Sequence, residues 1–90
     1  MELTEIREHL DRLDNALFMI LAERMAFIPK VAAYKSQNNV DRYQPQREKE
    51  IIENKRKLAQ ELSLNPDLVE DIVKRIIEDA HRIEREIMGK

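Results

Sequence analysis

Apolar residues recur along most of this chain at spacings of three and four, the stripe of an amphipathic helix. The first stripe runs through Leu3, Ile6, Leu10, Leu13, Leu17, Ile20 and Leu21 and continues at Ile28 and Val31. It predicts a helix from Thr4, a residue type suited to the N-cap, to about Lys35. Pro29 lies inside that run, where its ring and missing N–H should kink the helix or remove a hydrogen bond. The polar run Ser36-Gln37-Asn38-Asn39 should end it. A second helix is predicted from Pro45, a good first helical residue, with Ile51, Ile52, Leu58, Ala59 and Leu62 on its apolar side. A third starts from Asn65, Pro66 and Asp67, which suit a cap, a first position and the positive end of a helix dipole. Its stripe is Val69, Ile72, Val73, Ile76, Ile77, Ala80, Ile83 and Ile87. No alternating strand pattern and no repeat is present. The expectation is an all-α fold of three helices in one domain, residues 1–90, with a long kinked first helix.

That first helix is too long for its neighbours. Residues 3 to 36 as a helix span about 50 Å, whereas a compact domain of this length has a radius of gyration of about 12 Å. The two shorter helices cannot cover the whole first stripe. A second copy of the chain is the economical cover, since twofold dimers are the commonest assembly. An intertwined homodimer is therefore expected, with a heterologous partner as the alternative.

Composition narrows the function classes. The chain is 38% charged with one Gly and three Pro, as long-helix proteins are. Its net charge of −2 argues against general nucleic-acid binding, and the short basic run Lys55-Arg56-Lys57 reads as a solvated helix face. The absence of Cys removes disulfides and thiolate metal sites. His9 and His81 lie on separate helices and read as surface histidines, so no metal is expected. Met19, Met25 and Met88 read as core or interface filler. The aromatics Phe18, Phe27, Tyr34 and Tyr43 are too scattered to stack bases. No apolar run reaches the roughly 18 residues of a membrane span, and the N-terminus has no signal-peptide pattern. A cytoplasmic protein is expected, without nucleic acid or membrane partners.

The functional signal is charge where apolar residues belong. On the first helix Arg24 and Lys35 continue the stripe and, 11 residues apart, project the same way. On the third helix Glu84 follows Val73, Ile77 and Ala80 on the apolar side. Arg47 and Glu48 occupy the first turn of the second helix. A buried cation without a partner costs several kcal/mol, roughly. These groups therefore either pair with one another or line a pocket for an anionic small molecule. Arg7 lies 17 residues before Arg24, about 100° around the helix and some 25 Å along it. It is out of reach within one chain. In an antiparallel dimer it could serve the partner's pocket.

These residues, in this order, resemble the all-helical chorismate mutases. The likeness rests on Ile6-Arg7-Glu8, Leu13-Asp14, Leu21-Ala22-Glu23-Arg24, Ala33-Tyr34-Lys35, Pro45-Gln46-Arg47-Glu48 and Ile76-Ile77-Glu78-Asp79-Ala80. It covers nearly the whole chain. The resemblance implies an interlocked dimer that rearranges chorismate to prephenate in aromatic amino-acid biosynthesis, with no cofactor. It also implies the site: Arg24 and the partner's incoming Arg7 on the two substrate carboxylates, Lys35 near a carboxylate and the ether oxygen, Arg47 on the anionic end, and Glu48 accepting from the ring hydroxyl.

Three positions depart from the commonest family pattern. Glu84 stands where many members have Gln as the second donor to the ether oxygen. An ionised carboxylate only accepts, so the expectation is a Glu84 protonated in the active enzyme, burial favouring the neutral form. Its alternative is a Glu84 that merely pairs with Lys35. Ala80 replaces a common Ser and loses a hydroxyl toward a carboxylate. Gln44 replaces a common Asp before the second helix, a weaker cap, though its backbone N–H can still meet the ring hydroxyl. Two other classes remain open: an isochorismate-pyruvate lyase of the same fold, which the Arg47-Glu48 pair disfavours, and a non-enzymatic helical dimerisation module, which leaves the cations on the stripes unexplained.

Overall fold

The computed structural model describes residues 1–90. It contains helices α1 (Leu3–Ala26), α2 (Ile28–Gln37), α3 (Pro45–Glu61) and α4 (Pro66–Met88) and no strand. α1 and α2 together form the expected long first helix. The break falls at Phe27, because Pro29 has no N–H to return to the Met25 carbonyl. Phe27 keeps right-handed angles (φ −81°, ψ −17°), so the rod bends without reversing. Its N–H turns to the Arg24 carbonyl at 3.1 Å, a tightened turn, and the ladder resumes with the Val31 N–H on the Phe27 carbonyl at 3.0 Å.

The helix start differs from the sequence expectation. α1 begins at Leu3 with Glu2 as its cap and no side-chain capping bond, so Thr4 lies inside the first turn. The other starts agree. Pro45 opens α3, and the Asn65 side chain accepts the Asp67 N–H at 2.9 Å to cap α4. Between α3 and α4 the chain reverses through Ser63, which takes left-handed angles (φ 58°), and the Leu64 N–H closes on the Ala59 carbonyl at 2.8 Å. So short a connection makes α3 and α4 antiparallel neighbours.

The interior is thin. α2 and α3 both pack against α4, and the buried apolar residues are Ile28, Ala32, Ala59 and Ala80. Three of the four are alanines, which bring the helix backbones close but bury little area. Arg56 reinforces the α3–α4 contact, donating to Asp67 at 2.9 Å and Glu70 at 3.1 Å. The basic run around it is therefore not wholly a solvated face: Arg56 is half-buried while Lys55 and Lys57 are exposed. Lys74 holds Glu70 at 2.7 Å. That hydrogen bond, helped by Arg56, keeps the Glu70 carboxyl below its ordinary range, and Asp67 raises the Arg56 guanidinium.

α1 stands apart from this wedge. None of its residues is buried, and the molecule measures 55 Å along its longest axis with a radius of gyration of 16.4 Å. That exceeds the roughly 12 Å of a compact chain this long. Leu3, Leu10 and Leu17 fall seven apart, as do Ile6, Leu13 and Ile20, and all six are more than 40% exposed. No helix of the chain is long and apolar enough to cross a membrane.

Candidate active site

The site forms where the α2–α3 loop folds back between α2, α3 and α4. The loop is set by Asn39, which takes left-handed angles (φ 54°), and by the Val40 N–H on the Lys35 carbonyl at 2.9 Å. Asn tolerates that backbone better than most residues. The reversal carries the Arg42 carbonyl onto Lys35 and delivers Gln44 and Pro45 to the start of α3. Gln44 caps α3 through its backbone alone: its carbonyl accepts the Glu48 N–H at 3.1 Å and its side chain makes no capping bond.

A cleft of about 240 Å³ results, and it brings together Arg24, Lys35, Gln44, Arg47, Glu48, Ala80 and Glu84. Arg7 is not among its walls; it lies exposed near the start of α1. Ala80 and Glu84 form the buried floor, at 8% and 4% exposure. Arg24, Gln44 and Arg47 are exposed at the rim. Arg24, placed by its spacing on a buried face, thus stands on a face that this chain alone leaves open, with no ion pair.

Lys35 is the best-held cation. Its Nζ donates to Glu84 Oε1 and to the Arg42 carbonyl oxygen, both at 2.8 Å, and the Lys35 and Glu84 side chains are only 14% and 6% exposed. An ammonium has three donors, so one N–H is left for a ligand. Glu84 here accepts from Lys35, the pairing set out above as the alternative to a protonated donor. Its second oxygen, Oε2, is 3.8 Å from His81 Nδ1, beyond hydrogen-bond length.

Two site residues were not anticipated, and one was read wrongly. His81 is no surface histidine: its side chain is 13% exposed. Its Nε2 lies 2.7 Å from Glu48 Oε2, and its Nδ1 accepts from Arg42 Nη1 at 2.6 Å. Tyr43 packs edge-on against the ring with centroids 6.0 Å apart. The available signal was His81's position four residues after Ile77, at the border of the stripe. Arg42 had none, because a loop has no periodicity to read. With Arg42 the cleft holds four fixed cations, Arg24, Lys35, Arg42 and Arg47, against two carboxylates, Glu48 and Glu84. The surplus of two positive charges suits a dianion. Every fully buried side-chain nitrogen and oxygen has a partner.

Comparison with known proteins bears on the family of the chain. A family profile described as chorismate mutase type II matches residues 6–85. The chain is 34% identical over 85 residues to the T-protein of Enterobacter agglomerans, covering 94% of this chain and 23% of that protein. It is 30% identical over 87 residues to the chorismate mutase of Methanocaldococcus jannaschii, covering 97% of this chain and 88% of that protein. It also matches the bifunctional chorismate mutase/prephenate dehydratase of Aquifex aeolicus, 34% identical over 61 residues and 17% of that protein. The chain thus spans under a quarter of the T-protein's length but most of the Methanocaldococcus protein. With the profile matching from α1 to near the end of α4, the chain belongs to the chorismate mutase type II family.

Proposed function

We propose that this chain is a chorismate mutase, working as a homodimer without a cofactor. The observation that carries the reading is the convergence of Arg24, Lys35, Arg47, Glu48 and Glu84 on one cleft, with a surplus of positive charge. Chorismate carries two carboxylates. It reaches prephenate in one pericyclic step, in which the ether C–O bond breaks as a C–C bond forms. No nucleophile is needed. What helps is a grip on the folded conformer and donors at the ether oxygen as charge grows there.

Each side chain then has a role. Arg24, and Arg7 arriving from a second copy, bind the two carboxylates, with Arg47 at the anionic end. Lys35, fixed by Glu84 and the Arg42 carbonyl, turns its remaining N–H to the ether oxygen. Glu84 accepts from Lys35 on Oε1, and only a form that carries a proton on Oε2 can act as the second donor. Glu48 accepts from the ring hydroxyl beside the Gln44 backbone. The open rim at Arg24 and the uncovered stripe of α1 both support the dimer, since one docking event would cover the stripe and bring Arg7 across.

The test is incubation with chorismate at about pH 5, 6.5 and 8, spanning the range in which carboxyl and imidazole groups commonly titrate. Substrate loss is followed by absorbance and the product identified by NMR. Prephenate is the expected product, formed faster at acid pH, with Glu84→Gln flattening the profile. Prephenate at an even rate removes the protonated Glu84 and keeps the mutase. No turnover removes the mutase.

A further inference from the structure

Glu48 is held in a way its own helix does not explain. It sits in the first turn of α3 with its side chain 26% exposed, and a glutamate so placed has several rotamers open to it. Its Oε2 is tied instead to His81 on α4, and no protein group bonds its Oε1. His81 is itself fixed on three sides, by its packing in α4, by the edge of Tyr43 and by Arg42. A guanidinium can only donate, so Nδ1 must accept and the ring proton sits on Nε2, aimed at Glu48. The result is a directional chain, Arg42 to His81 to Glu48, joining the α2–α3 loop, α4 and α3.

We propose that His81 is a positioning residue of this enzyme: it holds Glu48 Oε2 so that Oε1 is presented, in one orientation, to the ring hydroxyl of the substrate. The inference rests on the mutase reading above. A carboxylate already aligned loses less freedom on binding, and small misplacements of such a group lower rates steeply. Arg42 has a second function in this scheme. Its guanidinium sets the His81 tautomer while its carbonyl holds Lys35, so one loop residue aligns both an acceptor and a donor of the cleft.

The experiment is a double-mutant cycle on the full chain, His81→Leu with Glu48→Ala, with chorismate turnover measured for all four proteins. His81→Leu is expected to lower kcat/KM about ten- to hundredfold, the loss of a hydrogen bond to a charged group. In the Glu48→Ala background the same change should cost less than about threefold, because the group it acts on is gone. His81→Gln, whose amide can donate to Glu48 and accept from Arg42, should restore most of the rate. A purely structural role for His81 predicts independent effects and no rescue by Gln, and that outcome overturns the proposal while leaving the mutase intact. A wild type without turnover overturns the mutase reading and this inference with it. Should His81→Leu fail to fold, ¹⁵N NMR of the wild-type ring decides: a proton on Nε2 whose signal shifts in Glu48→Ala supports the proposal, and a proton on Nδ1 overturns it.

Discussion

α1 and the wedge of α2, α3 and α4 break opposite rules. α1 leaves Leu3, Leu10, Leu13 and Leu17 more than half exposed. The wedge instead buries Glu84 to 4% exposure, with Lys35 against it. Exposed aliphatic side chains forgo about 1.5–3 kcal/mol each, and a buried ion pair gains little over apolar packing. Neither region optimises the stability of the single chain. The apolar excess points to another protein surface, and the buried charge to a ligand.

The sharpest way to break that contrast is Arg24→Leu, which extends the apolar stripe into the cleft. An interaction module should tolerate it or gain stability. The mutase should keep its fold and lose turnover by about a thousandfold, as when a preorganised charge contact is removed. Circular dichroism and the chorismate assay separate the two. Next in size is Leu13→Glu, which puts a charge in the middle of the α1 stripe. Sedimentation should show the assembly falling to monomer, with a large loss of thermal stability. Unchanged mass and melting would mean that α1 is not the covered face.

The two regions meet in a complementation experiment. Arg7→Ala and Arg24→Ala should each be nearly inactive. Co-refolded, they should recover about a quarter of wild-type activity, because half the dimers are mixed and each mixed dimer has one intact site. No recovery would place Arg7 outside the partner's cleft. The smallest effect concerns the wedge alone. Glu70 is held below its ordinary value of 4.5 by Lys74 and then Arg56. A depressed carboxyl contributes stability that is present above its unfolded value and lost as pH falls through its folded one. Melting temperature should therefore drop by a few degrees between about pH 5 and pH 3. Most of Glu70's share of that drop should vanish in Lys74→Ala, less of it in Arg56→Ala, and part of it in high salt, where exposed pairs are screened.

Much of this was legible in the chain. The spacings of three and four located every helix, Pro29 located the bend to within two residues, and Asn65-Pro66 located the start of α4. Arg24, Lys35, Arg47, Glu48 and Glu84 were legible for a related reason: each carries charge on or beside an apolar stripe, and regular helices convert sequence spacing into direction. The cap of α1 was not legible, because Thr4 has the chemistry of a cap while the first turn simply starts earlier on Glu2.

What only the tertiary structure decided lies off the helical lattice. Arg42 enters the site because Asn39 adopts left-handed angles and the loop folds back, a long-range outcome with no periodic signal. His81 lies one residue from Ala80 on the border of the stripe; whether that border faces water or Glu48 depends on where α3 comes to rest. The pairing of Glu84 with Lys35 was one option among several until packing set their separation at 2.8 Å. Sequence alone determined which way helical residues point, because backbone hydrogen bonding imposes one repeat. It did not determine which of the facing groups meet, because that depends on how the helices pack and how the loops fold.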